Sequence, residues 1–224
     1  MQVPTAEQYC RQTMRLAETA VGTQLDPVRT AAALVADAIE TGHRFWAFGT
    51  GHSHLLVEEI WGRAGGMTAV HPILEPSLML HEGLQKSSVL ERSPGLAAAL
   101  LEVHPVATGD CLLVISNSGR NAVPVEVAEL AHDRGAKIIA LGSRRHSDSV
   151  SSRAPSGRKL LEVADVVIDN CGVPGDAIID SPDGRTGATS TVIGALLVQA
   201  LATETVGLLQ SRGATVELLI SNNA

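Results

Sequence analysis

A glycine-rich segment at 49–53, Gly-Thr-Gly-His-Ser, is the first place where the residue types could bind a ligand. It follows an apolar run that ends at Phe48, and glycines at such a strand-to-helix turn leave backbone N–H groups free for an anion. A dinucleotide fingerprint would need glycine at position 54, where this chain has His54, and the Gly-Lys-Ser/Thr of a triphosphate-binding loop is absent. The segment therefore indicates either an anionic ligand of another class or a tight turn without a ligand.

A second candidate segment, Ser-Asn-Ser-Gly-Arg-Asn at 116–121, follows the apolar run 111–115 and precedes a helical pattern. Its two hydroxyls, its permissive glycine and the start of a helix together predict a turn that binds phosphate. Asn121 is placed to cap that helix. The alternative is that Ser116 and Ser118 only bond to backbone groups, as such residues often do.

A third segment, Thr-Gly-Ala-Thr-Ser-Thr at 186–191, lies at the start of the last predicted helix. Taken alone, its hydroxyls are better explained as helix caps. Together with the first two segments they support a shared phosphate site.

The predicted secondary structure places these segments around one sheet. Short apolar runs alternate with helical patterns, which is typical of a parallel sheet covered by helices on both faces. Ligands in such sheets bind beyond the carboxyl ends of the strands, where the first two segments lie. The predicted strands are 44–48, 68–73, 111–115, 137–141 and 166–169, and the predicted helices between and after them are 52–63, 95–104, 124–134 and 189–209.

Two helices are predicted ahead of the sheet. The first runs from Thr5 to Val21, and the second begins at Asp26-Pro27, a favourable helix start, and ends near Thr41.

The whole chain is expected to form one domain, 1–224, with N-terminal helices at 1–42 that suit a dimer interface and an α/β core at 43–212. The polar segments 75–94 and 143–159 both follow predicted strands. Long loops in compact domains are usually functional or disordered, and we favour a functional role for both.

The composition limits the classes of function. The chain has 17 basic and 24 acidic side chains, a formal net charge of −7, and 2% aromatic residues. We expect no nucleic-acid partner, because duplex binding needs clustered basic groups and single strands need aromatic stacking. The three cysteines are far apart and no His or Cys cluster has metal-ligand spacing, so we assign no metal and no cofactor and expect a cytoplasmic protein. The apolar stretch 192–209 is interrupted by Gln199 and Glu204 and predicts a buried helix, with no membrane partner.

The order of the three segments resembles the sugar isomerase (SIS) family: Gly-Thr-Gly-His-Ser, then Ser-Asn-Ser-Gly, then Thr-Ser-Thr on the final helix. More closely, the stretch 166–176, Val-Val-Ile-Asp-Asn-Cys-Gly-Val-Pro-Gly-Asp, and the His-Glu-Gly at 81–83 are similar to a bacterial group of single-domain SIS proteins. At least one member of that group is associated with dehydration of N-acetylglucosamine 6-phosphate. The related N-acetylmuramic acid 6-phosphate etherases share the fold and eliminate a C3 substituent.

The resemblance implies a three-layer α/β/α sandwich with a five-stranded parallel, flavodoxin-like sheet, a homodimer and a phosphosugar ligand. SIS proteins often have threonine at the position of Asn121, whose amide can still donate to a phosphate. The residues expected to bind the phosphate are Ser116, Asn117, Ser118 and Asn121, joined by Ser190 and Thr191. Those expected to line the sugar are Gly51, His52, Ser53, His54, Asp169 and Asn170.

Glu82 is the first candidate for a catalytic base. It lies in the polar segment 75–94 beside His81, and a bound sugar that desolvated it would raise its pKa. His81 is the candidate for assisting ring opening, because imidazole titrates near neutral pH. The alternative for both is a solvated surface side chain.

These expectations lead to an enzyme acting on an amino-sugar 6-phosphate, N-acetylglucosamine 6-phosphate being the favoured substrate. The base would abstract the C2 proton and the C3 oxygen would be eliminated, which makes the enzyme a carbon–oxygen lyase. Aldose–ketose isomerisation is the close alternative, because it shares the C2 step. A non-catalytic phosphosugar sensor and a structural scaffold are the alternatives of different classes.

Overall fold

A five-stranded parallel sheet forms the centre of the molecule. In a computed structural model that describes residues 3–221, its strands are β1 (Phe45–Gly49), β2 (Val70–Ile73), β3 (Cys111–Ile115), β4 (Lys137–Gly142) and β5 (Val166–Asp169). Their order is β2-β1-β3-β4-β5, and every neighbouring pair is parallel. This is the flavodoxin-like order, in which the winding of the sheet reverses between β1 and β3. The fold class expected from the sequence is confirmed.

Helices cover both faces of this sheet. One face carries α1, α2 and α8, and the other carries α4, α5 and α7. The helices are α1 (Ala6–Glu40), α2 (His54–Ile60), α3 (Leu84–Leu90), α4 (Leu96–Val103), α5 (Ala122–Asp133), α6 (Arg144–Asp148), α7 (Leu160–Val163) and α8 (Ser190–Ser211).

Each central strand contributes to two separate apolar cores. In β1, Phe45 and Ala47 belong to the core under α1, α2 and α8, whereas Trp46 and Phe48 belong to the opposite core. Because successive side chains of a strand point to opposite faces, a strand covered on both sides must be apolar throughout. This explains why β1 and β3 are continuous apolar runs that are buried at every position.

The two predicted N-terminal helices are continuous in the structure. Helix α1 runs through Pro27 without interruption and ends at Glu40, so the Asp26-Pro27 pair does not begin a new helix. A proline inside a helix costs about 3 kcal/mol or more. The packing of the α1 face that includes Ala20, Val28 and Ala31 against α8 and the sheet offsets this cost, because that face extends on both sides of the proline.

The two long polar segments are largely structured. The segment 75–94 forms two 3₁₀ turns, Pro76–Leu78 and Leu80–Glu82, followed by α3. The segment 143–159 begins with α6, and Lys159 at its end donates to the Ser147 carbonyl over 2.7 Å. Both segments pack over the carboxyl end of the sheet, so they are part of the wall around the ligand-binding edge.

The chain between the sheet and the last helix contains an antiparallel hairpin that the sequence analysis did not predict. Its strands are β6 (Ala177–Ser181) and β7 (Gly184–Ala188). Helix α8 follows directly, and it is long and apolar enough to cross a membrane by length and composition. It packs instead on α1 and α2, as predicted for a buried helix. The contact with α2 is close, because a Cβ at Gly194 would lie 2.4 Å from a methyl carbon of Leu56.

Candidate functional site

A cavity of ≈ 230 Å³ opens at the carboxyl ends of β1 and β3, where the winding of the sheet reverses. The chain leaves β1 towards α2 on one face and leaves β3 towards α5 on the other. Diverging connections of this kind create the crevice in which open α/β sheets bind ligands. The cavity is lined by four groups of residues: 50–53 after β1; Leu80, Leu84, Ser87, Ser88 and Glu91 around α3; Ser116, Asn117, Ser118 and Asn121 after β3; and His146 of α6.

The turn after β1 is shaped by its glycines. Gly51 has φ +56°, in the left-handed region, and begins the 3₁₀ turn Gly51–Ser53. A Cβ at Gly49 would lie 2.6 Å from the Ser53 carbonyl oxygen, so only glycine allows the turn to fold back this closely. Gly51, His52 and Ser53 therefore lie in the cavity wall, as placed by the sequence analysis. His54 begins α2 and is buried, outside the cavity lining, and burial lowers its pKa.

The turn after β3 forms a compact polar nest. The Gly119 N–H donates to Ser116 Oγ over 3.2 Å, and Gly119 has φ +60°. On the neighbouring strand, a Cβ at Gly142 would lie 2.4 Å from the Ser116 carbonyl oxygen. Glycine at 142 thus lets β4 end directly beneath the turn. The side chains of Ser116 and Ser118 line the cavity beside that of Asn117.

A chain of amide hydrogen bonds orients Asn117 within this nest. Asn170 Nδ2 donates to Asn117 Oδ1 over 2.9 Å, and Asn117 Nδ2 lies 3.3 Å from His146 Nδ1. Asn170 is buried and accepts the Gly172 N–H over 2.9 Å. It acts on the cavity through Asn117, and it also lines a narrow crevice between the nest and α8. Burial lowers the pKa of His146, which favours the neutral imidazole.

Asn121 faces a carboxylate that the sequence analysis did not single out. Its Nδ2 donates to Glu91 Oε1 over 2.7 Å, and its Oδ1 accepts from Arg153 Nη1 over 3.0 Å. One of its two amide N–H groups is therefore used inside the protein. A direct contact from Asn121 to a phosphate would have to come from the other.

Among the described residues that line the cavity, the carboxylate is that of Glu91, which is partly buried. Thr50 Oγ1 donates to its Oε2 over 2.8 Å, so the side chain connects the turn after β1 with the turn after β3 through Asn121. Desolvation by burial raises the pKa of Glu91 and outweighs the opposing bond from Thr50. A carboxylate with a raised pKa, next to a polar cavity, has the properties of a general base. No local motif marks Glu91, because its partners lie 41 and 30 residues away in the sequence.

Glu82 and His81, the catalytic candidates of the sequence analysis, are exposed in the 3₁₀ turn Leu80–Glu82. Glu82 is paired with Lys86 over 2.9 Å, and the hydrogen bond and charge of Lys86 lower the pKa of Glu82. In the free protein this carboxylate therefore lacks the raised pKa expected of it with a bound sugar. Their neighbours Leu80 and Leu84 line the cavity, whereas His81 and Glu82 are not among its lining residues.

The start of α8 is occupied by an internal carboxylate. Asp176 accepts from the Ser190 N–H over 2.8 Å, from Ser190 Oγ over 2.6 Å and from the Thr189 N–H over 3.1 Å. These are the groups that would otherwise attract an anion to the helix terminus. Ser190 and Thr191 line the narrow crevice beside Asn117, not the main cavity.

Asp169 lies at the end of β5, where its Oδ1 accepts from the Arg144 and Cys171 N–H groups over 3.1 and 2.9 Å. It organises the loop after β5 and is not among the residues that line the main cavity. Within residues 3–221, no group of three or more His, Cys, Asp or Glu side chains is arranged to hold a metal ion.

Comparison with known proteins places this architecture in a family. The SIS domain model matches residues 8–143, and a UPF0309 protein of Halalkalibacterium halodurans is 46% identical over 217 residues, which is 96% of this chain and 90% of the relative. A UPF0309 protein of Listeria innocua is 42% identical over the same length, which is 96% of this chain and 88% of the relative.

Solved structures share the fold at low identity. A phosphoheptose isomerase from Francisella tularensis has a TM-score of 0.61 and 16% identity, over 89% of this chain and 95% of the other. A phosphoheptose isomerase from Neisseria gonorrhoeae has a TM-score of 0.60 and 18% identity, over 90% of this chain and 96% of the other. The sequence matches and the flavodoxin-like sheet agree, and the chain belongs to the SIS domain family, alongside the UPF0309 proteins.

Proposed function

We propose that the cavity between the turns after β1 and β3 binds a phosphosugar. The observation that carries this proposal is the juxtaposition of a hydroxyl-rich nest, Ser116 to Gly119, and the partly buried Glu91 in the wall of one ≈ 230 Å³ cavity. The nest offers hydroxyls and a helix start to a phosphate, and the carboxylate is the group that could act on the sugar. Ser118 lines the same cavity, so the phosphate would be bound chiefly by Ser116 and Ser118.

The sugar would extend from the nest towards Gly51, His52 and Ser53, which form the opposite wall. Asn117 would contribute to the phosphate through the orientation set by Asn170 and His146. Ser190 and Thr191 would act only at the edge of the crevice, because Asp176 already accepts from the amide and hydroxyl of Ser190.

The reaction that fits this arrangement best is dehydration of an amino-sugar 6-phosphate, with N-acetylglucosamine 6-phosphate as the preferred substrate. A carboxylate takes the C2 hydrogen as a proton. The electron pair of the broken C2–H bond forms the double bond between C2 and C3 as the C3–O bond breaks. The C3 hydroxyl leaves as water with the proton that the carboxylate took from C2, so atoms and charge balance and the carboxylate is regenerated. Glu91 is our choice of base because its pKa is raised and its position is fixed by two hydrogen bonds. His81 remains the candidate for ring opening, whereas Glu82, the base expected from the sequence, is exposed and paired with Lys86.

Incubation with N-acetylglucosamine 6-phosphate in heavy water tests this proposal. We expect an unsaturated product that absorbs in the ultraviolet, and deuterium at C2 of recovered substrate. Conversion to a ketose phosphate with the same C2 exchange would instead identify an aldose–ketose isomerase. Unchanged substrate without deuterium would refute both reactions, and millimolar binding without turnover would leave a phosphosugar sensor.

We also propose that the protein is a cytoplasmic homodimer that uses α1 as part of its interface. Met14, Val21 and Leu25 of α1 are exposed apolar side chains, and a second cavity of ≈ 480 Å³ lies between α1 and the hairpin β6–β7. A partner subunit seated there would cover apolar surface that a monomer leaves in water. The molar mass in solution tests this assembly, and a monomer at micromolar concentration would refute it.

A further inference from the structure

Three arginines lie near one another beside two residues of the cavity wall, Glu91 and Asn121. Arg120 precedes Asn121 in the chain, and Arg153 donates from Nη1 to Asn121 Oδ1 over 3.0 Å and from its backbone N–H to the Arg120 carbonyl over 2.7 Å. Arg92 follows Glu91, whose carboxylate accepts from Asn121 over 2.7 Å. The cavity wall therefore meets this group of arginines at Asn121 and Glu91.

This arginine cluster, Arg92, Arg120 and Arg153, is short of negative charge. Within residues 3–221, none of the three forms an ion pair with a carboxylate. Desolvation and the like charges of Arg120 and Arg92 lower the pKa of Arg153, and Glu91 acts in the opposite direction. Burial disfavours the charged form of Glu91 itself, so even this carboxylate compensates the cluster only in part.

Arg120 also has hydrogen-bonding capacity to spare. Its Nε is buried and has no hydrogen-bond partner in the part of the chain that the structure describes. Its Nη2 has a single long contact, 3.5 Å to Ser151 Oγ. The terminal N–H groups of the Arg120 guanidinium are therefore left for an anion, since Nη2 makes only this one long contact.

We propose that the arginine cluster is a second anion subsite, which binds an acidic group of the same ligand whose phosphate occupies the nest. The acidic group is a carboxylate or a second phosphoryl group, since the planar fork of a guanidinium matches both. The inference rests on the proposed phosphosugar function, because the subsite lies at the rim of that cavity. It extends the proposed ligands beyond N-acetylglucosamine 6-phosphate, whose only acidic group is its phosphate, to sugar phosphates that carry a second negative charge.

Two matched pairs of probes test the subsite by calorimetry at about 0.1 M salt, where exposed charges still attract over about 10 Å. The first pair is 6-phosphogluconate and sorbitol 6-phosphate, which differ in a carboxylate against a hydroxymethyl group. The second pair is fructose 1,6-bisphosphate and fructose 6-phosphate. We expect the doubly acidic member of at least one pair to bind about tenfold more tightly, as a charge-assisted hydrogen bond would provide. The pair that shows the preference identifies the acidic group.

Substitution of the arginines then locates the preference. Arg92→Gln and Arg120→Gln should each reduce the affinity ratio between the doubly and singly acidic probes to about twofold or less, which is what a weak exposed charge provides. Arg92 lies outside the cavity wall, so its replacement leaves the lining of the cavity unchanged. Arg145→Gln, an exposed arginine on α6, is the matched control and should keep the ratio. Because the compared quantity is the ratio of two affinities, a loss of phosphate binding at the nest lowers both affinities and leaves their ratio unchanged.

The outcomes separate the two proposals. Equal affinity of the wild-type protein for both members of each pair would overturn the subsite and leave the phosphosugar proposal standing. An absence of binding for all four probes at millimolar concentration would overturn both. A preference that survives in Arg92→Gln and Arg120→Gln would place the anion elsewhere and refute the assignment to this cluster.

Discussion

Replacement of Glu91 by glutamine tests whether its carboxylate acts as the proposed base or only connects Thr50 with Asn121. Glutamine keeps the size of the side chain and can accept one of the two hydrogen bonds now made by Thr50 and Asn121, but it cannot take a proton from C2. Loss of a general base typically costs about 10²–10⁴ in rate, or roughly 2.7–5.5 kcal/mol of transition-state stabilisation. We expect Glu91→Gln to lose that much C2 exchange in heavy water while phosphosugar binding, measured by calorimetry, is retained.

Glu82→Gln is the matched control for this experiment. Glu82 is exposed and paired with Lys86, and an exposed pair of this kind contributes little, so the exchange rate of Glu82→Gln should change by no more than about twofold. The reverse result, a large loss in Glu82→Gln with little change in Glu91→Gln, would refute our choice of base.

The pH dependence follows from the same carboxyl group. Because burial raises the pKa of Glu91, the acidic limb of kcat/KM should lie above the ordinary glutamate range, and activity should be lost as pH falls through that raised value.

The contribution of Glu91 to the free energy of unfolding should change with pH in the opposite sense. The folded state binds the Glu91 proton more tightly than the unfolded state, so this group destabilises the fold progressively as pH rises from the ordinary pKa to the folded one. The Tm of Glu91→Gln minus that of wild type should therefore increase as pH rises above the ordinary glutamate pKa, which is near 4.3, through the raised pKa of the folded protein. A difference in Tm that is independent of pH would contradict the raised pKa.

Three further substitutions test the elements that position the site. Asp176→Ala removes the acceptor at the start of α8 and should cost about 2 kcal/mol, seen as a fall in Tm of roughly 4–8 °C. Asp176→Asn, which keeps an oxygen and tolerates the φ of +66°, should cost less, and an unchanged Tm in Asp176→Ala would show that the carboxylate is dispensable. Gly142→Ala places a Cβ 2.4 Å from the Ser116 carbonyl oxygen and should lower the free energy of unfolding in urea by about 1–3 kcal/mol. It should also weaken phosphosugar binding, and unchanged binding would show that the nest does not depend on the close approach of β4. Ser118→Ala should weaken binding of N-acetylglucosamine 6-phosphate about tenfold by calorimetry without changing the urea midpoint, and undiminished affinity would remove Ser118 from the phosphate site.

Much of the fold was predictable because it depends on local patterns. A strand buried on both faces has to be apolar at each position, and for this reason β1 and β3 stand out in the sequence. Their carboxyl ends were predictable as the ligand-binding edge, because parallel strands direct their following loops to one side. The SIS family resemblance rested on the same segments, and the match over residues 8–143 confirms it.

Helix α1 and the hairpin β6–β7 show where local rules fail. The Asp26-Pro27 pair has the residues of a helix start, but burial of the α1 face against α8 outweighs the cost of the proline. The hairpin strands are short and mostly exposed or half-buried, with glycine in β7, so they lack the apolar alternation that marks a strand.

By itself, the sequence determined the sheet, its polar edge and the two turns that line the cavity, because these follow from side-chain periodicity and from the backbone freedom of glycine. Only the tertiary structure decided which carboxylate belongs to the cavity and which group occupies the start of α8. Glu91 meets Thr50 and Asn121 across 41 and 30 residues, and Asp176 reaches Ser190 across 14. The charge state and the role of a carboxyl group depend on burial and on partners brought together by packing, and neither is encoded in the residues beside it.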